Sequence, residues 1–173
     1  GFLDDSWFHR TYWIYGKNAG EGWAEWPVPA WYVPAGRILA FDDSYVYGYG
    51  RHPQYLCNSS VLEYRLFAAD KSLDPERAEI VRKAKIPQNI TNWKNRAKRP
   101  ESELSAVNRK WLIEKPQVIA RAMVLADQTL FVAGPPDVVD EEEIWGRTLE
   151  PEVQVKLSAQ SAALEGQQGS LLW

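Results

Sequence analysis

The sequence predicts a mostly β fold: a partial β-propeller of antiparallel four-stranded blades carrying helical insertions. Three observations predict it. First, a hairpin unit recurs, at 38–51 around Asp42-Asp43-Ser44 and at 122–134 around Asp127-Gln128, with a weaker echo in Phe2-Leu3-Asp4-Asp5-Ser6-Trp7-Phe8. Each full copy is an apolar strand, an acidic tight turn and an aromatic or β-branched strand, the signature of a β-hairpin. Second, the turn residues Asp5, Asp43 and Asp127 lie 38 and 84 residues apart. These steps are close to one and two multiples of the roughly 40-residue period of a propeller blade. Third, Val61-Leu62-Glu63-Tyr64-Arg65-Leu66-Phe67 largely alternates apolar and polar residues, as a half-buried strand does.

Residues 1–69 read as the first blades with an aromatic-rich loop. Trp7, Phe8, Tyr12, Trp13, Ile14 and Tyr15 suggest one or two strands broken at Gly16. From there to Gly36 the chain holds Gly20, Gly22, Pro27, Pro29 and Pro34, a density that marks a long loop. Trp23, Trp26, Trp31 and Tyr32 lie in that loop and must pack on something, which predicts an ordered one. Ile38–Phe41 and Tyr45–Tyr49 then form a hairpin, with an aspartate at the turn to accept from nearby backbone N–H groups.

Residues 70–110 read as a charged, partly helical insertion. Asp74-Pro75-Glu76 combines an N-cap, a proline at the first helical position and an acidic first turn, predicting a helix to about Lys85. Pro100-Glu101 predicts a second short helix through Asn108. Residues 111–173 read as a further blade, with strands at Trp111–Glu114, Gln117–Leu125 and Thr129–Ala133. Pro151 starts a helix over about 151–165, Val153, Leu157 and Leu164 share one side of it, and Gly166 stops it. A final strand begins at Leu171. The Gly1 start and this strand at the other end are what a piece of a larger polypeptide presents.

Composition narrows the function classes. At 45% hydrophobic residues the chain can bury a core. A net charge of −3 makes no electrostatic case for nucleic acid. Cys57 is alone, so neither an intrachain disulfide nor a cysteine zinc cluster can form. No run of 18 apolar residues spans a membrane, and no secretory leader is recognisable. With two histidines and no nucleophile elbow, phosphate loop or His-Glu-x-x-His, hydrolytic and metal-dependent mechanisms are poorly supplied, and no catalytic residue is assigned.

Some stretches resemble a known family. Leu125–Gly134 resembles the inner hairpin of PQQ-like, quinoprotein-type β-propeller repeats, and Gly169-Ser170-Leu171-Leu172-Trp173 resembles the Gly-x-x-x-Trp end of such repeats, where the Trp docks one blade on the next. The aromatic opening 2–13, with Gly36-Arg37-Ile38-Leu39 and Leu62–Phe67, is similar to large uncharacterised members of planctomycete-type bacteria. The resemblance implies a bacterial, periplasmic or otherwise extracytoplasmic propeller whose remaining blades are partners. For the dehydrogenases of the family it implies PQQ, calcium, an aspartate base and often paired cysteines. A single cysteine departs from that pattern, and no aspartate here matches the base.

The candidate binding residues are Trp23, Trp26, Trp31, Tyr32, His9, Arg10 and His52. The aromatic set offers flat faces for a sugar ring or a quinone, or pins the loop to the sheet. His9 and His52 share a site if hairpin loops converge, and otherwise are ordinary loop histidines. Asp4, Asp5 and Arg10 are equally served by turn capping and an ion pair. The basic run Lys83–Arg99 with Trp93 and the acidic run Asp140–Glu143 read as solvated surface. The expected function is a binding or scaffold segment recognising a partner or ligand through aromatic loops. The alternatives are part of a PQQ-dependent oxidoreductase and a carbohydrate-binding β protein.

Overall fold

The computed structural model describes residues 13–16, 31–52, 64–84 and 99–173. These residues are mostly antiparallel β sheet with a few helices. Strands β1 (Trp13–Ile14) and β2 (Ala35–Gly36) make a small pair. Strands β3 (Ile38–Phe41), β4 (Tyr45–Arg51), β5 (Tyr64–Asp70) and β6 (Arg109–Glu114) form a four-stranded sheet in sequence order. Strands β7 (Ala122–Ala126), β8 (Thr129–Gly134) and β9 (Leu171–Leu172) form a three-stranded sheet.

The register of the first sheet sorts its side chains into two faces. Ile38 pairs with Tyr49, Tyr49 with Leu66, and Leu66 with Ile113, so these four lie in one row across the sheet. Leu39, Gly48, Phe67 and Leu112 form the adjacent row on the opposite face. The first face packs against the second sheet: Tyr49, Tyr64 and Leu66 meet Val118, Ala120 and Val132 in one cluster. Tyr49 and Tyr64 stack with centroids 4.6 Å apart and planes 9° from parallel. Burying each such side chain contributes about 1.5–3 kcal/mol. The opposite face is covered by Val107, which packs on Phe67 and Ala69. Gly48 lets the Phe67 ring lie on bare backbone, since a Cβ there would stand 2.3 Å from the ring.

The hairpin turns form where the sequence places them. At 42–44 the acceptor is Asp42 rather than Asp43: its Oδ1 accepts from the N–H groups of Ser44 and Tyr45, both at 2.7 Å, and its Oδ2 from the Tyr47 hydroxyl at 2.8 Å. These bonds hold the Asp42 carboxyl below its usual range. Asp127 takes a positive φ of 52° in the two-residue loop between Ala126 and Thr129. Asp5 lies outside the described residues.

The described residues include helices α1 (Pro75–Lys83), α2 (Glu101–Leu104), α3 (Glu141–Ile144) and α4 (Pro151–Leu164). Asp74 caps α1 through the N–H groups of Glu76 and Arg77. Helix α4 seats Val153 and Leu157 against Val139 and Ile144, and Gly166 follows it at a φ of +84°. Its buried Gln160 donates to the Pro136 carbonyl at 3.0 Å and accepts from the Val138 N–H at 2.8 Å. No helix among the described residues is long and apolar enough to cross a membrane.

Three expected boundaries move. Residues 109–114 complete the first sheet, through the β5–β6 ladder, instead of opening a further blade after an insertion ending at 110. The second short helix stops at Leu104, because Ser105, Ala106 and Val107 are buried and the Ala106 N–H bonds to the Trp31 carbonyl at 2.7 Å. In the expected strand 117–125, residues 117–121 run beside 133–137, with Ile119 N–H on the Pro135 carbonyl at 2.9 Å, and β7 starts at Ala122.

Candidate functional site

The structure separates the residues singled out in the sequence. Trp31 is 5% exposed and packs with Val81, Leu104 and Ala106, and Tyr32 packs against the same cluster. Trp31 therefore offers no open face for a sugar or a quinone; its role is to seat α1 and α2. His52 lies just past the end of β4 and within a group of charges, outside the Trp31 cluster. Trp23, Trp26, His9 and Arg10 lie outside the described residues.

Among the described residues, the group around His52 is the most charged interior site. Arg65 projects from β5, is 1% exposed, and forms a two-pronged pair with Glu101 of α2 at 2.8 and 3.0 Å. Arg109 of β6 also contacts Glu101, and its guanidinium lies 5.7 Å from the centre of the Phe67 ring. Glu114 stands 3.7 Å from Arg65 and 3.0 Å from His52 Nε2. Burial, with Arg65, Arg109 and Lys115 nearby, lowers the His52 pKa to about 3. The ring thus meets Glu114 as a neutral imidazole. Sequence reasoning missed Arg65, Glu101 and Arg109; the one signal was an arginine inside the apolar run 64–69.

A second site is a cleft of ≈ 450 Å³ between 115–117 and 136–140, bordered by Leu171. Lys115 has a positive φ of 46° and pairs there with Asp140. Burial pushes the Asp137 carboxyl up to about 6, the Asp140 charge adds to this, and the Val139 N–H opposes it. Gln160, by bonding Pro136 and Val138 on either side, fixes where Asp137 sits.

Asp137 and His52 give opposite pH dependences. Asp137 holds its proton more tightly folded than at its ordinary 3.8, so it subtracts stability as pH rises from about 4 to about 6. His52 holds its proton less tightly than at its ordinary 6.5, so it adds stability as pH rises from about 3 to about 6.5. Each slope is bounded by about 1.4 kcal/mol per pH unit. In urea unfolding across this range, the stability of Asp137→Asn relative to the parent chain is expected to climb with pH. That of His52→Gln is expected to fall. Two flat differences would show that neither group titrates on unfolding.

The third feature is a surface. Register alternation sends Met123, Leu125, Leu130 and Val132 inward and leaves Ala122, Val124, Ala126, Thr129, Phe131, Ala133 and Leu172 on the outward face of the second sheet. Val124, Phe131 and Leu172 are 59%, 41% and 70% exposed, and no charged residue interrupts this face. Antiparallel sheets with one wet face normally alternate apolar and polar residues; here both faces of the β7–β8 hairpin are apolar.

Compared with family models, curated proteins and solved structures, the chain matches none. Its geometry alone bears on function. The described residues hold no group of three or more His, Cys, Asp and Glu arranged for a metal ion. What they do hold is a buried charge cluster, a small polar cleft and an uncovered apolar sheet face. Of the three, the face is the largest departure from what an isolated domain presents to water.

Proposed function

We propose that the chain is a binding or scaffold segment of a stacked-sheet protein of the PQQ-like propeller kind, and that the outward face of β7–β8–β9 receives another antiparallel sheet of the same parent protein. The observation that carries this is the uncharged outward row Val124, Phe131 and Leu172. The inward side of the same sheet already packs on the first sheet through Val132 against Tyr49 and Leu66. The outward face continues that arrangement by one more layer, at the roughly 10 Å spacing of packed sheets. The four strands β3 to β6, hydrogen-bonded in sequence order, have the connectivity of one propeller blade. This reading moves recognition from the aromatic loop to the sheet, because Trp31 is spent on the core.

Sedimentation velocity and dye binding test it. Without its partner sheet, the 173-residue chain is expected to self-associate at tens of micromolar and to bind 8-anilinonaphthalene-1-sulfonate. Phe131→Lys with Leu172→Lys is expected to yield a monomer with little dye signal and stability within about 0.5 kcal/mol per substitution. A parent chain that is monomeric and silent to the dye overturns the proposal. So does a double variant that loses several kcal/mol, because the face would then be covered by the chain itself.

A further inference from the structure

Among the described residues the charge cluster does not balance. Three guanidiniums, from Arg65, Arg77 and Arg109, are served there by two carboxylates, Glu101 and Glu114, and Glu101 is shared between Arg65 and Arg109. Arg77 and Arg109 converge on one residue: Arg77 donates to the Ser105 carbonyl and Arg109 to the Ser105 hydroxyl, each at 3.4 Å. Ser105 is fully buried. The Nε donors of Arg77 and Arg109 are also buried and have no hydrogen-bond partner. Buried donors left unmade are costly, and a buried cation without a counter-charge more so. An arginine fork matches an oxyanion, which accepts two parallel N–H bonds.

From this we infer that Arg77 and Arg109, with Arg65 behind them, bind an oxyanion of the phosphate or carboxylate kind beside Ser105. The surrounding chain favours it. Residues 64–115 carry 13 Lys and Arg against 7 Asp and Glu, in a chain whose net charge is −3. The Glu101 and Glu114 side chains are 29% and 53% exposed, so the cluster opens to solvent along their side. The depressed pKa values of His52 and Arg109, both ascribed first to burial and then to neighbouring arginines, are consistent with a local excess of positive charge. A bound anion satisfies the two Nε donors and restores neutrality.

The test uses the full chain with inorganic phosphate and, separately, acetate, each at constant ionic strength against chloride. At tenfold its Kd the bound anion is expected to raise Tm by about 3 °C. It also raises the pKa of His52, read as a shift of the imidazole proton resonances in a titration through the acid range, because added negative charge makes the ring more basic. Arg77→Gln, on the outer side of the cluster, is expected to weaken binding at least tenfold while keeping the folded spectrum. A response to phosphate alone assigns a phosphoryl ligand, and one to acetate assigns a carboxylate. No response to either beyond chloride overturns the inference, as does an equal response in Arg77→Gln. If Arg77→Gln does not fold, the parent chain's His52 resonance decides: no shift with either anion overturns it.

Discussion

Glu101→Ala is expected to destabilise the fold by about 3 kcal/mol, the lower end for breaking a buried ion pair. The loss is large because of what remains. Arg65 sits at 1% exposure in a four-stranded sheet and keeps its charge after Glu101 is gone, with only the half-exposed Glu114, 3.7 Å away, left to answer it. Arg109 loses the same partner. The estimate stays at the lower end because Glu101 is 29% exposed, so water enters part of the space it vacates. Urea unfolding at pH 7 measures the effect. A second variant isolates its origin: Arg65→Met on the Glu101→Ala background removes the under-compensated buried charge and fills the volume. It is expected to recover more than 1 kcal/mol, since an apolar replacement for a buried pair is often neutral. No recovery would mean that Glu101 acts through the α2 backbone alone.

Gly134→Ala is expected to cost 3 kcal/mol or more, in roughly the range of other changes that force packed backbone apart. A Cβ at Gly134 would stand 2.0 Å from the Ile119 carbonyl oxygen and 2.9 Å from its carbon. Both are backbone atoms held by the pairing of 117–121 with 133–137, so no side chain can rotate away. Val118 and Ala120 in that segment fill the interface between the sheets, and pushing it off opens the core. Gly166→Ala is the control. Its φ of +84° strains an alanine, but nothing lies within 4 Å, so roughly 1–2 kcal/mol is expected. Thermal or urea unfolding of the pair separates close approach from backbone strain. Equal losses at both sites would refute the packing account.

Local chemistry was legible in the sequence. Asp74-Pro75 announces α1, and Pro151 with Gly166 brackets α4, because caps and breakers act on their own neighbours. The acidic turns announce both hairpins, although the choice of Asp42 over Asp43 depends on which carboxylate reaches the Ser44 and Tyr45 amides. Strand partnership was not legible. Nothing in Arg109–Glu114 says that its partner is β5 and not a strand further along, because the ladder is backbone and the intervening residues hide the pairing. The charge cluster escaped for the same reason: Arg65 and Glu101 are 36 positions apart and meet only once β5 and α2 are packed. For Trp31 aromaticity alone leaves a binding face and a pin for the loop both open, and the choice is made by Val81 and Leu104 from elements far along the chain.

The pairing of β5 with β6 has a further consequence. Asp70 and Asn108 stand side by side, joined by the Asp70 N–H on the Asn108 carbonyl at 3.0 Å and by their side chains at 2.6 Å. The stretch between them therefore leaves the sheet and returns through one doorway, but it is tied down by packing, Val107 on Phe67 and Ala69 and Val81, Leu104 and Ala106 on Trp31. It is tied down electrostatically as well. It carries Glu101, the carboxylate that Arg65 and Arg109 share. A lineage that had gained such a stretch and then placed arginines beneath it could no longer shed it by deletion alone. The sheet would keep its ladder and lose both the two-pronged partner of its buried Arg65 and the Val107 cover on Phe67.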